Sequence, residues 1–255
     1  MKKSIEDIKK EYRLKFDHHT HTIYSKVGPY FHGKGRIIDN ARAAAKRGLD
    51  SLAITDHGPF DFYGIDLRKL PQMRRDIALA LGAFPKLRIY LGVEADIVDT
   101  PNGLDVSPKD FEKFDFVNAG YHYVPKCHMV HNFLSFRLPW PKALKERLRR
   151  QNTARIVKAL KSNDIRTLTH PGDKAYIDEH AVAKACEETG TLVEINARHK
   201  HPEVEDLKVY RQYDVKFVIN SDAHRPRYVG RFAESLALAM EAGIDPERIV
   251  NIQKK

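Results

Sequence analysis

Apolar and polar positions follow one repeating order along this chain. A short apolar run ends in a polar residue of metal-binding type, and an amphipathic stretch then follows. Residues 14–16 lead into Asp17, His19 and His21; 52–54 lead into Asp56 and His57; 89–93 lead into Glu94. Residues 116–117 lead through 118–121 to His122, 165–169 into His170, 192–193 into Glu194 and Asn196, and 217–219 into Asp222 and His224. Runs this short, rich in β-branched residues or Leu, read as strands. Between most of them lie helical patterns: 37–47 stopped by Gly48, 66–81, 142–161, 178–189 before Gly190, and 232–242 before Gly243. In 142–161, Leu144, Leu148, Ile156 and Leu160 share a face. Strand then helix, about seven times over, predicts an α/β fold with parallel strands and helices packed outside. Function in such folds gathers at the carboxyl ends of the strands. Every ligand-type residue above sits at or just past such an end. They occur on all strands rather than near one switch point, so a closed or distorted barrel explains them better than an open sheet.

Length and composition narrow the class. A chain of 255 residues with no linker-like or repeated stretch suits a single domain, residues 1–255, with 1–12 as an N-terminal helical extension. The 42% apolar fraction is that of a folded protein. No apolar run reaches the length of a membrane span, and no apolar segment follows Lys2 and Lys3 as a secretory signal requires. Cys127 and Cys186 are far apart and read as free thiols of a cytoplasmic protein. Net charge, 44 − 34 = +10, favours anionic partners.

The polar residues carry the chemistry. Alternate residues of a strand share a face, so His19 and His21 can reach one ion while His18 points away. Asp222 and His224 repeat the spacing. His19, His21, His57, Glu94, His122, His170, Asp222 and His224 make eight candidate ligands before His32 is counted. One zinc ion takes about three or four protein ligands, so this set suits two or three ions. Imidazole with carboxylate and no thiolate suits zinc, manganese or iron. Such a site generates a metal-bound hydroxide near neutral pH and clamps a phosphoryl group.

Taken together, DHHTHT at 17–22, ITDHGP at 54–59, GVEAD at 92–96, AGYH at 119–122, THPG at 169–172, EIN at 194–196 and NSDAH at 220–224 resemble the PHP (polymerase and histidinol phosphatase) family. ITDHGP is especially similar to stand-alone bacterial PHP phosphatases with a trinuclear site. The resemblance implies a distorted (β/α)7 barrel, with the metal site at the carboxyl ends of its strands, and phosphoester hydrolysis. It implies that His19, His21, Glu94 and Asp222 bind a first ion, and that Glu94 bridges to a second held by His122 and His170. His57 and His224 bind a third. Glu94, Asp222 and His122 then carry the catalytic work. The histidine that similar proteins place soon after the H-x-H pair is missing here, where Lys26 and Val27 stand. His32 follows the insertion 26–31 and is the displaced ligand under the simplest alignment.

Around this core, Asp17 and Asp56 are expected to orient the second ring nitrogen of neighbouring histidines, with Glu194 and Asn196 in a similar supporting role. Arg198 and Arg225 follow strand ends and are candidates for binding phosphate oxygens. His128 and His131 with Cys127, and the LPWP segment at 138–141, read as ordinary loop and packing. His199 and His201 are balanced between substrate contact and solvent, and His180 reads as a solvated helix residue. The expected partner is a small anionic phosphoester, with no membrane. The basic helix at 142–161 supports a weaker alternative, a phosphodiesterase or nuclease, but lacks the aromatics that stack on bases. The other alternative is a non-catalytic, metal-stabilised binding module.

Overall fold

Strands that are apolar on both faces are stable only where both faces are covered. The computed structural model describes residues 3–122, 134 and 139–255 and shows how that cover is achieved. The order begins α1 (Ile5–Glu11), β1 (Tyr12–Leu14), β2 (Phe16–Asp17), β3 (Lys26–Val27), β4 (Tyr30–Phe31), α2 (Ile37–Lys46) and β5 (Ser51–Ile54). It continues α3 (Leu70–Ala83), β6 (Arg88–Asp96), β7 (Phe116–Gly120), α4 (Lys142–Ser162), β8 (Thr167–Leu168) and α5 (Glu179–Thr189). It ends β9 (Leu192–Asn196), α6 (Val204–Tyr210), β10 (Phe217–Asn220), α7 (Ala233–Glu241) and β11 (Ile252–Lys254).

Seven strands form one sheet in the order β10-β9-β8-β7-β6-β5-β2, every pairing parallel. Its two edges nearly meet: Thr20 bridges Ala223 in parallel, and His21 N–H donates to the Ala223 carbonyl at 3.0 Å. The fold is therefore α/β, a nearly closed seven-stranded parallel barrel. All of β5 and β10 is buried, and Leu52, Ile54, Leu91, Val93, Phe217 and Ile219 belong to the apolar core. His18 also lies inside, its Nε2 at 2.8 Å from Ser51 Oγ and its ring stacked on Phe16. Burial and the nearby Arg166 push its imidazole down to about 3, so it is neutral.

Several elements depart from the hydrophobic pattern for identifiable reasons. The run at 14–16 splits: Leu14 pairs antiparallel with Ile252 of β11, while Phe16 pairs with Ser51 of β5. The helix expected over 66–81 starts later, because Asp66 caps a short 3-10 turn by accepting from Arg68 N–H, and Pro71 then opens α3. Between β6 and β7 the chain makes only a 3-10 helix, Pro108–Lys113. α6, absent from the sequence reading, is started by a capping box between Glu203 and Asp206. Leu144 is 42% exposed rather than on the buried face of α4. That helix carries its charge outside, with Arg149 paired to Glu146 and Asp178 and Arg155 to Asp99. Of the N-terminal extension, α1 is capped by Ser4 and buries Ile8 fully. Among the described residues, no helix is long and apolar enough to cross a membrane.

Candidate metal centre

At the carboxyl ends of the barrel strands, nine of the residues singled out in the sequence lie together, and Glu94 is at the middle. Its Oε2 lies 3.1 Å from His19 Nε2, 3.4 Å from His21 Nε2 and 3.2 Å from His57 Nδ1. Its Oε1 lies 2.9 Å from His170 Nε2 and 3.3 Å from His122 Nε2. Asp222 Oδ1 is 3.2 Å from His21 Nε2 and 3.2 Å from His224 Nδ1. Gly120 permits this crowding: a Cβ there would stand 2.3 Å from Thr169 Oγ1 and 3.1 Å from Glu94 Oε1. Backbone strain is found at the same place, since the non-glycine residues with positive φ are His170 (28°) and Asp222 (48°) among the described residues.

The donor set fits divalent cations. Glu94 Oε2, Asp222 Oδ1, His57 Nδ1 and His224 Nε2 are buried and make no hydrogen bond, an arrangement that is costly unless a cation joins the lone pairs. His19 Nε2 and His21 Nε2 face each other at 3.1 Å. Burial opposes ionisation of Glu94, yet His19, His122 and His170 hold its carboxyl well below the usual carboxylate range. Burial, with His199 beside it, pushes His170 down to about 4, leaving a neutral ring able to ligate. Among the described residues, five groupings could each hold an ion: His19, His21 and Glu94; His57, Glu94 and His122; His21, His57 and His224; His170, His199 and Asp222; and Asp61, Asp96 and His122.

The supporting groups differ from the expectation at two positions. Asp17 and Asp56 bind no ring nitrogen. Asp17 accepts from Ser221 N–H (3.1 Å), Gly230 N–H (2.7 Å) and the Ser221 hydroxyl. Asp56 accepts from Thr22 N–H (2.7 Å), Thr22 Oγ1 (2.6 Å) and Ser25 Oγ (2.5 Å). Both clamp the backbone that presents the histidines. Ring orientation comes instead from Glu194, whose Oε1 is 2.8 Å from His19 Nδ1, and from Asp96, whose Oδ1 is 2.5 Å from His122 Nδ1. Asn196 donates to Glu194 Oε2 at 2.7 Å and accepts from Arg198 and His199 N–H. Asp96 was not singled out in the sequence, although its i, i+2 relation to Glu94 on β6 was a usable signal.

His32 reaches the cluster through its hairpin. The insertion forms β3 and β4 around Gly28, whose φ of 53° suits glycine. His32 N–H then donates to the Ser25 carbonyl at 2.9 Å, so the hairpin is looped out and His32 follows Ser25 in space. Its ring is 4.2 Å from that of His224 and 5.4 Å from that of His57, and it stacks on Tyr63 at 4.4 Å. Burial and the neighbouring His224 and His57 push it down to about 3.

Of the residues left open, His199 faces the centre, with Nε2 at 3.0 Å from Asp222 Oδ2 and Nδ1 at 2.8 Å from Asp173. His201 pairs with Asp206 at 3.1 Å, and exposed His180 lies 3.0 Å from the Tyr213 hydroxyl. Arg198 lies over Asp222 at 3.5 Å, and Arg225 lines an adjoining cavity. Cys127, His128, His131 and Leu138 lie outside the described residues.

Comparison with known proteins agrees with this architecture. Residues 17–220 match the PHP domain family. A protein of Thermoanaerobacter sp. (strain X514) named "Probable phosphatase" is 31% identical, covering 94% of this chain and 91% of its own length. One of the same name from Acetivibrio thermocellus is 28% identical, covering 92% of this chain and 90% of its own. The fold is shared with histidinol phosphate phosphatase of Lactococcus lactis, solved with zinc, L-histidinol and phosphate. There the TM-score is 0.62 and the identity 16%, covering 91% of this chain and 95% of that one. With its motifs, barrel and buried donors accounted for in the same terms, the chain belongs to the PHP domain family.

Proposed function

We propose that this protein is a hydrolase of phosphoric esters, a metal-dependent phosphomonoesterase of the cytoplasm acting on small anionic substrates, with residues 1–255 as one catalytic domain. The observation that carries the reading is the pair of buried carboxylates, Glu94 and Asp222, with an unbonded oxygen each amid imidazoles. His19, His21, Glu94 and Asp222 would hold one ion, Glu94, His122 and His170 a second, and His32, His57 and His224 a third. Zinc, manganese or iron bound there would make water nucleophilic at neutral pH and polarise phosphoryl oxygens.

The chain's own residues do the rest. Asp96 and Glu194 accept the Nδ1 protons of His122 and His19, so each Nε2 is turned towards Glu94. Arg198, 41% exposed and beside Asp222, would bind the non-bridging phosphate oxygens. Phe62, Tyr63 and Lys174 wall a mouth of about 220 Å³ above the histidines, room for a phosphate and a small leaving group.

The test is a panel of phosphomonoesters, including p-nitrophenyl phosphate and histidinol phosphate, beside single-stranded DNA, each assayed with zinc, manganese and iron. Turnover of phosphomonoesters is expected. Cleavage of DNA alone would replace this reading by the nuclease one, and no turnover in any combination would favour a binding module.

A further inference from the structure

Beside the mouth lies a second cavity of about 400 Å³, on the side of His32 and His224. The two share His32, Arg198 and Asp222. Beyond that wall, the second cavity is lined by Lys34, Arg225, Tyr228 and Arg231. Four cationic side chains thus face one concavity whose single carboxylate is Asp222. That carboxylate is already engaged, with Oδ1 among His21 and His224 and Oδ2 against His199 and Arg198.

The other cations have no such partner. Among the described residues, no carboxylate pairs with Lys34, Arg225 or Arg231. Elsewhere on the surface the basic residues are commonly paired, as Arg36 is with Asp39, Arg68 with Asp66, Arg74 with Asp115 and Arg155 with Asp99. Two of these residues are also anchored by the fold. Lys34 N–H donates to the His224 carbonyl at 2.8 Å, which ties its backbone to the last strand end, and the Arg231 guanidinium lies 4.7 Å over the Tyr228 ring. Gathering like charges in a cavity without counter-charge costs free energy that an anionic ligand would recover. One phosphate over the histidines would not fill both cavities, whose linings have only His32, Arg198 and Asp222 in common.

We infer that the cavity lined by Lys34, Arg225 and Arg231 is a second anion subsite, so that the preferred substrates carry another phosphate or carboxylate a few bonds from the scissile phosphate. This rests on the phosphomonoesterase reading and narrows its substrate class. The second anion is not transformed. It anchors the substrate while the first phosphate is hydrolysed, and its contribution therefore falls mainly on KM.

The test compares ethyl phosphate, which has one anionic group, with phosphoglycolate, which adds a carboxylate, and with the bisphosphates of ethanediol, propanediol and butanediol. Phosphate release by the metal-loaded enzyme is measured for each. At least one doubly anionic ester should exceed ethyl phosphate in kcat/KM by about tenfold or more, the size of a charge-assisted contact. The Lys34→Ala/Arg231→Ala double variant should lose that advantage and keep the ethyl phosphate rate. Both side chains are exposed, so folding should be preserved. Equal preference for phosphoglycolate and a bisphosphate would show that the subsite accepts either anion; preference for bisphosphates alone would restrict it to phosphate. Equal kcat/KM for all esters, or an advantage that survives in the double variant, would overturn the inference and leave the phosphomonoesterase reading standing. Failure to hydrolyse any ester would remove both.

Discussion

Four buried carboxylates at one end of this barrel have opposite fates. Asp17 and Asp56 are met almost entirely by backbone N–H groups and hydroxyls, and burial pushes both above the ordinary aspartate range. Glu94 and Asp222 are equally buried, yet the histidines around them hold both well below the ordinary range. The first pair is satisfied within the protein, whereas the second leaves Glu94 Oε2 and Asp222 Oδ1 without a hydrogen bond. Burial alone therefore does not mark a functional carboxylate. What marks it is the kind of partner: hydrogen-bond donors close a site, while lone pairs leave it open to a cation.

The largest effect expected from breaking this distinction is at Glu94. Glu94→Ala should abolish tight metal binding and lower p-nitrophenyl phosphate hydrolysis by far more than about a hundredfold, beyond what loss of an outer partner causes. Metal content by mass spectrometry and a far-ultraviolet dichroism spectrum would be recorded on the same sample. Full retention of metal and rate would refute the role given to Glu94. Asp17→Ala should do the reverse. It leaves Ser221 N–H and Gly230 N–H buried and unpaired, at a cost of about 3 kcal/mol in urea unfolding, with metal stoichiometry kept in the folded fraction. A variant as stable as the parent would undo the structural assignment.

Asp96 tests the boundary between the two classes, because it bonds the ring of a proposed ligand, His122, rather than the backbone that presents one. Asp96→Asn should weaken binding of the ion served by His122 by about ten- to a hundredfold, the usual cost of losing an outer partner. Titration calorimetry or competition with a chelator would read this. Unchanged affinity would mean that the 2.5 Å contact to His122 Nδ1 does not set the ring.

The strand ends were legible because residues of metal-binding type and apolar runs share a period that any parallel barrel imposes. His19 and His21 could be separated from His18 on that ground. The split of 14–16 between two sheets was not legible, because its cause is Asn251, far along the chain, whose carbonyl accepts from Lys15 N–H at 2.8 Å. Asp17 and Asp56 were misassigned for a related reason. Their sequence neighbours are candidate ligand histidines, but a short carboxylate is captured first by the turn amides it can reach, here Thr22 N–H, Ser221 N–H and Gly230 N–H. His199 was undecidable from its own surroundings, since Asp173 and Asp222 approach it from two different loops.

Ser25 offers the smallest and most discriminating change, because it touches both classes at once. Its Oγ donates to Asp56 at 2.5 Å, and its carbonyl receives the N–H of His32 that closes the hairpin. Ser25→Ala removes only the first of these contacts. Asp56 keeps Thr22 N–H and Thr22 Oγ1, so the loss in urea unfolding should be about 1 kcal/mol, that of one hydrogen bond. The backbone bond to His32 is untouched, so metal stoichiometry and p-nitrophenyl phosphate turnover should stay at the parent level. A drop of one bound ion without a larger loss of stability would instead show that Asp56 holds the displaced histidine in place through Ser25. The line between the clamping carboxylates and the ligand carboxylates would then have to be redrawn at Asp56.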